Sequence, residues 1–154
     1  MKFNCPLIAV ADMERARKFY EEVMGQRVIL DFGENITFAG DFSLQTKDSW
    51  ARFINRREDE IVTESLGAEL YFEEEEDFPG KAACIKEYGC RLVHDVTEYP
   101  WGQSVIRFFD PDGHIIEVGE SMRLVARRFI AQGLSVEETA ARTQHPIAFV
   151  KSCL

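Results

Sequence analysis

Val105-Ile106-Arg107-Phe108-Phe109, Asp110-Pro111-Asp112-Gly113 and His114-Ile115-Ile116-Glu117-Val118 follow one another without a break. Two short apolar runs are thus joined by turn chemistry. Pro presets φ for the second turn position and Gly supplies a positive φ. The stretch reads as a β-hairpin. Glu117 then needs a reason, because it is a carboxylate inside an otherwise apolar strand. Two readings are open. Either it faces solvent, or it points into a pocket as a metal ligand or general base.

Working back from the hairpin, Gln103–Phe109 and His114–Gly119 are its strands, and Cys90–His94 is a third. Before them lies a helix that opens at Phe78-Pro79 and closes at Gly89, with Pro tolerated at the first helical position. A strand over Ala68–Phe72 precedes it. The acidic run Glu73-Glu74-Glu75-Glu76-Asp77 reads as a solvated stretch, and its carboxylates suit the positive end of that helix.

The same order of elements occupies the start of the chain. Phe3–Val10 is β-compatible, and Asp12 is a good N-cap. Met13, Ala16, Phe19-Tyr20 and Val23-Met24 recur at helical spacing up to a C′ glycine at Gly25. Strands over Gln26–Phe32, Ile36–Ala39 and Phe42–Thr46 follow. The chain is therefore an α+β protein with a repeated βαβββ unit, its period about sixty residues. The modules span about 1–60 and 66–120, in one domain of residues 1–120. Lys47–Leu66 is a polar connection, with Asp48 as the cap of a short helix carrying Trp50. Residues 121–154 form a helical tail. It comprises Met122–Gln132 stopped by Gly133, a helix started by the Ser135–Glu138 capping box, and one started by Pro146. The tail is mildly basic and is expected to pack on the sheet or a subunit partner.

The chain has 154 residues, 45% of them apolar, including 12 Phe, which is ample for a packed core. A formal charge of −9 argues against nucleic-acid partners and anionic membranes. No apolar run approaches the roughly 18 residues of a spanning helix. Cys5, Cys84, Cys90 and Cys153 show no paired spacing, and no signal-peptide layout opens the chain. A cytoplasmic protein with reduced thiols is expected.

Three motifs occur together: Val10-x-Asp12 … Phe19-Tyr20, Pro100-Trp101-Gly102, and Asp110-Pro111-Asp112-Gly113 … Glu117. With them the chain resembles the vicinal oxygen chelate superfamily over residues 3–120. That superfamily includes glyoxalase I, bleomycin- and fosfomycin-resistance proteins and extradiol dioxygenases. The resemblance implies two βαβββ modules whose sheets curl around a common cavity. In metal-dependent members it also implies a divalent ion acting as a Lewis acid. The family's ligand positions fall on Cys5, Gln45, Glu69 and Glu117. This set lacks histidine and mixes soft with hard donors. His94, His114 and His145 lie off those positions, and His114 is expected to be exposed.

Two functions of different class follow. The first is a glyoxalase-like lyase, isomerase or dioxygenase acting on an oxygenated metabolite. Its catalytic residue would be Glu117, and Glu69, Glu117 and Gln45 would hold Ni, Zn, Mn or Fe. The second is a metal-free drug- or metabolite-binding protein of the bleomycin-resistance kind. Period-two alternation and similarity to the family give Arg107, Trp101, Tyr71, Cys5, Trp50 and Phe38 as ligand-binding candidates. Arg107 with Glu69 and Glu117 is either a buried ion-pair cluster or a substrate clamp. A small-molecule ligand and a homodimer are expected.

Overall fold

The computed structural model describes residues 1–154. It contains two four-stranded sheets and six helices, and neither sheet is closed. The chain divides into two compact units. One comprises Met1–Ala68 with Phe109–Ile115, the other Glu69–Phe108 with Ile116–Leu154.

In the first unit β1 (Leu7–Val10), α1 (Met13–Glu22), β2 (Val28–Asp31), β3 (Asn35–Phe38), β4 (Phe42–Thr46) and α2 (Lys47–Phe53) follow in order. The sheet order is β1-β4-β3-β2, with β1 parallel to β4 and the other pairs antiparallel. Pro6 brings no N–H to the ladder, so β1 is shorter than expected. The Pro6 carbonyl still accepts from Ser43 N–H at 3.0 Å. Asp12 caps α1 by accepting from Arg15 N–H, and Gly25 takes the left-handed conformation after the helix (φ 67°). Ala16, Phe19, Tyr20 and Val23 are buried at the spacing that puts them on one helical face. They meet a sheet face that includes Phe38 and Phe42. The Tyr20 ring lies 5.6 Å from Phe38 and 5.2 Å from Phe42, and those two stack at 4.7 Å. The cap of α2 is Thr46, not Asp48; Asp48 sits inside the first turn and pairs with Arg52. A short 3-10 turn, Glu58–Glu60, follows.

The turn Asp110–Gly113 also belongs to this unit, and its Asp110 carboxylate is a hub. Asp110 Oδ1 accepts from the N–H groups of Asp112 and His114, both at 2.9 Å. Asp110 Oδ2 accepts from Tyr20 Oη at 2.9 Å and from His114 Nδ1 at 2.8 Å. His114 is therefore largely buried, contrary to the sequence expectation, because its ring is drawn in by Asp110. Next door, Asp112 Oδ1 accepts from Ala11 N–H at 2.8 Å and pairs with Arg15 at 3.0 Å. Gly113 has φ 90°, and a Cβ there would lie 2.8 Å from that of Glu64. Only glycine suits that position.

The later part of the chain repeats the order: β5 (Ser65–Glu74), α3 (Phe78–Tyr88), β6 (Leu92–Glu98), β7 (Ser104–Phe109) and β8 (His114–Glu120). Its sheet order, β5-β8-β7-β6, matches that of the first unit element for element. Asp77 caps α3, and Gly89 ends it in the left-handed region. The tail helices α4 (Met122–Ala131), α5 (Val136–Thr143) and α6 (Ile147–Ser152) bury Ala126, Ala140, Val150 and Cys153 among themselves. Their arginines are occupied within the chain. Arg123 donates to the Ser152 carbonyl, Arg127 to that of Cys153, and Arg128 to the Gly102 carbonyl and the Glu120 carboxylate. A Cβ on Gly102 would overlap the ring of Phe129, so a missing side chain admits α4 here. No helix is long and apolar enough to cross a membrane.

Burial works against ionisation of Asp110, but the bonds from His114 and Tyr20 outweigh it and hold the carboxyl below its ordinary value. Its stabilising contribution is thus complete above the unfolded carboxylate value of about 3.9. It is lost as pH falls through the lower folded value. Thermal unfolding followed from pH 7 to pH 2 should show that loss. Asp110→Ala should cost about 3 kcal/mol in urea at pH 7 and flatten the acid limb.

Candidate functional site

The register of the last hairpin follows from its turn. Asp110 N–H donates to the His114 carbonyl at 2.9 Å, so these two residues pair. Stepping three residues back along β7 and three forward along β8 sets Arg107 opposite Glu117. The two side chains form an ion pair. On the other side of β8, Glu69 of β5 accepts from Arg107 Nε at 2.9 Å. Beyond β7, His94 of β6 is the register partner of Arg107. Glu69, Glu117, Arg107 and His94 therefore form one row across all four strands.

Arg107 is held by several partners at once. Its Nη1 donates to Tyr99 Oη at 2.5 Å and to His94 Nε2 at 3.2 Å, and its guanidinium lies 5.6 Å from the Tyr99 ring centre. Three of its five N–H donors are thus hydrogen-bonded, to Glu69, His94 and Tyr99, and the ion pair to Glu117 is a further contact. His94 Nδ1 is 2.8 Å from the Asp95 carbonyl, which only accepts, so the ring carries its proton on Nδ1 and offers Nε2 to Arg107. Burial lowers the proton affinity of the guanidinium, but the bonds to Glu69 and Tyr99 raise it above its ordinary value overall. Two carboxylates against one guanidinium leave the row with one net negative charge. The Glu117 side chain is only 9% exposed, whereas that of Glu69 is 39% exposed. Glu69 is the carboxylate that a solute reaches.

Aromatic side chains continue the site. Tyr99 stacks on Trp101 at 4.8 Å with their planes 12° apart. Trp101 Nε1 donates to Gln103 Oε1 at 3.0 Å, and Gln103 Nε2 donates to Tyr71 Oη and to the Glu120 carbonyl, both at 3.0 Å. Burial pushes the Tyr71 phenol up to about 12, with the bond to Glu73 adding to it and that from Gln103 opposing. Gly119 makes room for this arrangement, since a Cβ there would come within 2.8 Å of Gln103 Nε2.

The fold agrees with what the comparisons find. A family model described as a glyoxalase-like domain matches residues 3–123. The chain belongs to the glyoxalase-like family. Its fold is that of the vicinal oxygen chelate superfamily. A protein of unknown function from Agrobacterium tumefaciens is 35% identical, with a TM-score of 0.72 over 79% of this chain and 94% of that one. Two others show the fold alone. A glyoxalase-related enzyme from Fulvimarina pelagi has 16% identity and a TM-score of 0.66, over 79% of this chain and 89% of that one. The fosfomycin resistance protein FosX from Mesorhizobium loti has 18% identity and a TM-score of 0.58, over 78% and 92%. No curated protein sequence matches significantly.

The remaining candidates of this glyoxalase-like chain lie in the first unit. Gln45 is buried with both ends of its amide in use. It accepts from Asn35 Nδ2 at 2.9 Å and donates to Ser49 Oγ. Phe38 has no exposed surface; its ring belongs to the aromatic core under α1. Cys5 is partly buried, its Sγ 3.5 Å from Ser43 Oγ, which in turn bonds Thr37. Trp50 is half-buried on α2. Tyr99 and Gln103 are the residues that strand alternation did not single out. Tyr99 lies past the end of β6, and β6 has two register irregularities between Leu92 and Thr97 that break its period of two.

Arg107→Leu should therefore cost about 3–5 kcal/mol, because it strands Glu117 without a partner. Glu117→Leu in the same chain should recover most of that. Glu69→Gln, at the exposed end of the row, should cost under about 1 kcal/mol. Urea unfolding of the four proteins checks the ordering.

Proposed function

We propose that the protein is a metal-independent small-molecule-binding protein of the bleomycin-resistance kind, with the Arg107 row at the base of its site. The observation that supports this is the guanidinium shared by Glu69 and Glu117. A divalent ion would compete with a fixed cation, because Glu69 Oε2 and Glu117 Oε2 both face the guanidinium already. To be held by both carboxylates, a divalent ion would have to displace that guanidinium. Gln45, with both amide ends bonded, adds no ready ligand. The donor set fits a divalent metal poorly.

What the row suits is a solute that complements one net negative charge. A planar compound with a cationic or N–H-bearing group would direct that group at Glu69 and lay its ring beside the Tyr99–Trp101 stack. The reading includes a homodimer, since Ile29, Leu30 and Phe32 leave the edge strand β2 and the residue after it with exposed apolar side chains. Sedimentation velocity should give the mass of two chains.

A panel of planar cationic compounds, acriflavine among them, tests the binding. In a Trp50→Phe background, Trp101 fluorescence should be quenched saturably. Prior treatment with EDTA should leave the affinity unchanged, and Glu69→Gln should weaken it about tenfold. Absence of quenching across the panel would count against the reading. So would stoichiometric uptake of Ni, Zn, Mn or Fe together with loss of binding in EDTA. The second of these results would instead favour the lyase, isomerase or dioxygenase reading, in which Glu69, Glu117 and Gln45 exchange their present partners for a metal.

A further inference from the structure

The helical tail has no part in the Arg107 row, yet it forms one wall of a neighbouring cavity that shares Trp101 with that site. This cavity, of about 410 Å³, is lined by Tyr71, Trp101 and Gln103 from the sheet and by Met122, Thr143, Gln144 and His145 from the tail. All seven belong to the second unit. We infer that it is a second binding site, made by the tail, for a small uncharged planar heterocycle that carries an N–H donor.

Both walls are fixed before any ligand arrives. On the sheet side the Gln103 amide bonds Trp101 Nε1, Tyr71 Oη and the Glu120 carbonyl, which holds the two aromatic side chains in place. On the tail side the segment after α5 is tied down three times. Thr143 Oγ1 donates to the Thr139 carbonyl at 2.8 Å, Gln144 N–H to that of Ala140, and His145 N–H to that of Ala140 at 3.1 Å. Gln144 adopts the left-handed conformation there (φ 59°), which turns the chain sharply into His145. Pre-set walls spare a ligand the cost of ordering them.

The polar chemistry of the cavity centres on His145. Its Nδ1 lies 2.7 Å from the Thr143 carbonyl, an acceptor, so Nδ1 carries the proton. In the neutral ring Nε2 is then the nitrogen with a lone pair. The Phe149 ring, 4.5 Å away, fixes the plane of the imidazole. Trp101 and Tyr71 supply flat apolar surface, and Met122 a polarisable, adaptable one. The volume suits a ligand of one or two rings. A heterocycle stacked on Trp101 with its N–H toward His145 Nε2 satisfies both walls together.

Benzimidazole is a probe with this chemistry, and 1-methylbenzimidazole has the same rings without the donor. In titrations followed by NMR, benzimidazole should shift the Trp101 indole N–H and the His145 ring signals. It should bind about five- to tenfold more tightly than its methylated form. His145→Phe keeps a ring against Phe149 and should reduce benzimidazole to the affinity of the methylated probe, while Glu69→Gln leaves both probes unaffected. Equal affinity of the two probes for the unaltered protein overturns the inference, whether or not the variant folds. So does the absence of shifts at Trp101 and His145. Loss of binding in Glu69→Gln, with retention in His145→Phe, would move the ligand to the Arg107 row. That result refutes the tail site and leaves the proposed function standing.

Discussion

A carboxylate that leaves water must find donors to replace it. Asp110 finds four: two backbone N–H groups of its own turn, the imidazole of His114 and the phenol of Tyr20. The first three lock the turn, and the fourth ties it to the helix whose aromatic face anchors the first sheet. Tyr20 is itself bound to this arrangement, since burial, and then the Asp110 charge, push its phenol well above the ordinary value. Everything downstream in β8 inherits its register from this point. A slip of one residue would send Glu117 to the opposite face and Ile116 into the charged row.

The row Glu69–Glu117–Arg107–His94 is a product of that register. Sequence neighbours play no part in it; its members come from four strands and meet only because the second sheet takes the order β5-β8-β7-β6. The same order in the first sheet carries no such row. There Gln45 and Ser43 spend their hydrogen bonds on neighbours within the sheet or at the start of α2. Two copies of one topology have thus diverged in what their faces present. One is a packed polar seam, and the other carries charge and flat aromatic surface.

How much of this was legible in the chain depends on how local the signal is. The helices announced themselves through Asp12, Gly25, Gly89 and the Ser135 capping box, all of which sit where local chemistry puts them. The last hairpin was equally plain, since Pro111 and Gly113 have few other uses. The pairing of Arg107 with Glu117 and Glu69 was open to period-two reasoning because β7 and β8 run straight from a tight turn. Tyr99 was not, because irregularities in β6 destroy the alternation that would have placed it. Phe38 misled for another reason. Alternation puts it on one face of β3, but it does not say that α1 covers that face with Phe19 and Tyr20. His114 misled because a residue next to a turn glycine is ordinarily wet, and no pattern in the chain foretold a hub at Asp110.

The cation that faces Glu69 and Glu117 is a side chain. A bound ion has to be acquired, can be exchanged for a competitor, and leaves when a chelator or a scarce supply demands it. A guanidinium is synthesised with the chain and keeps its charge to a pH beyond any cell's. The positive charge on this sheet face is therefore heritable. It is altered only by changing a codon.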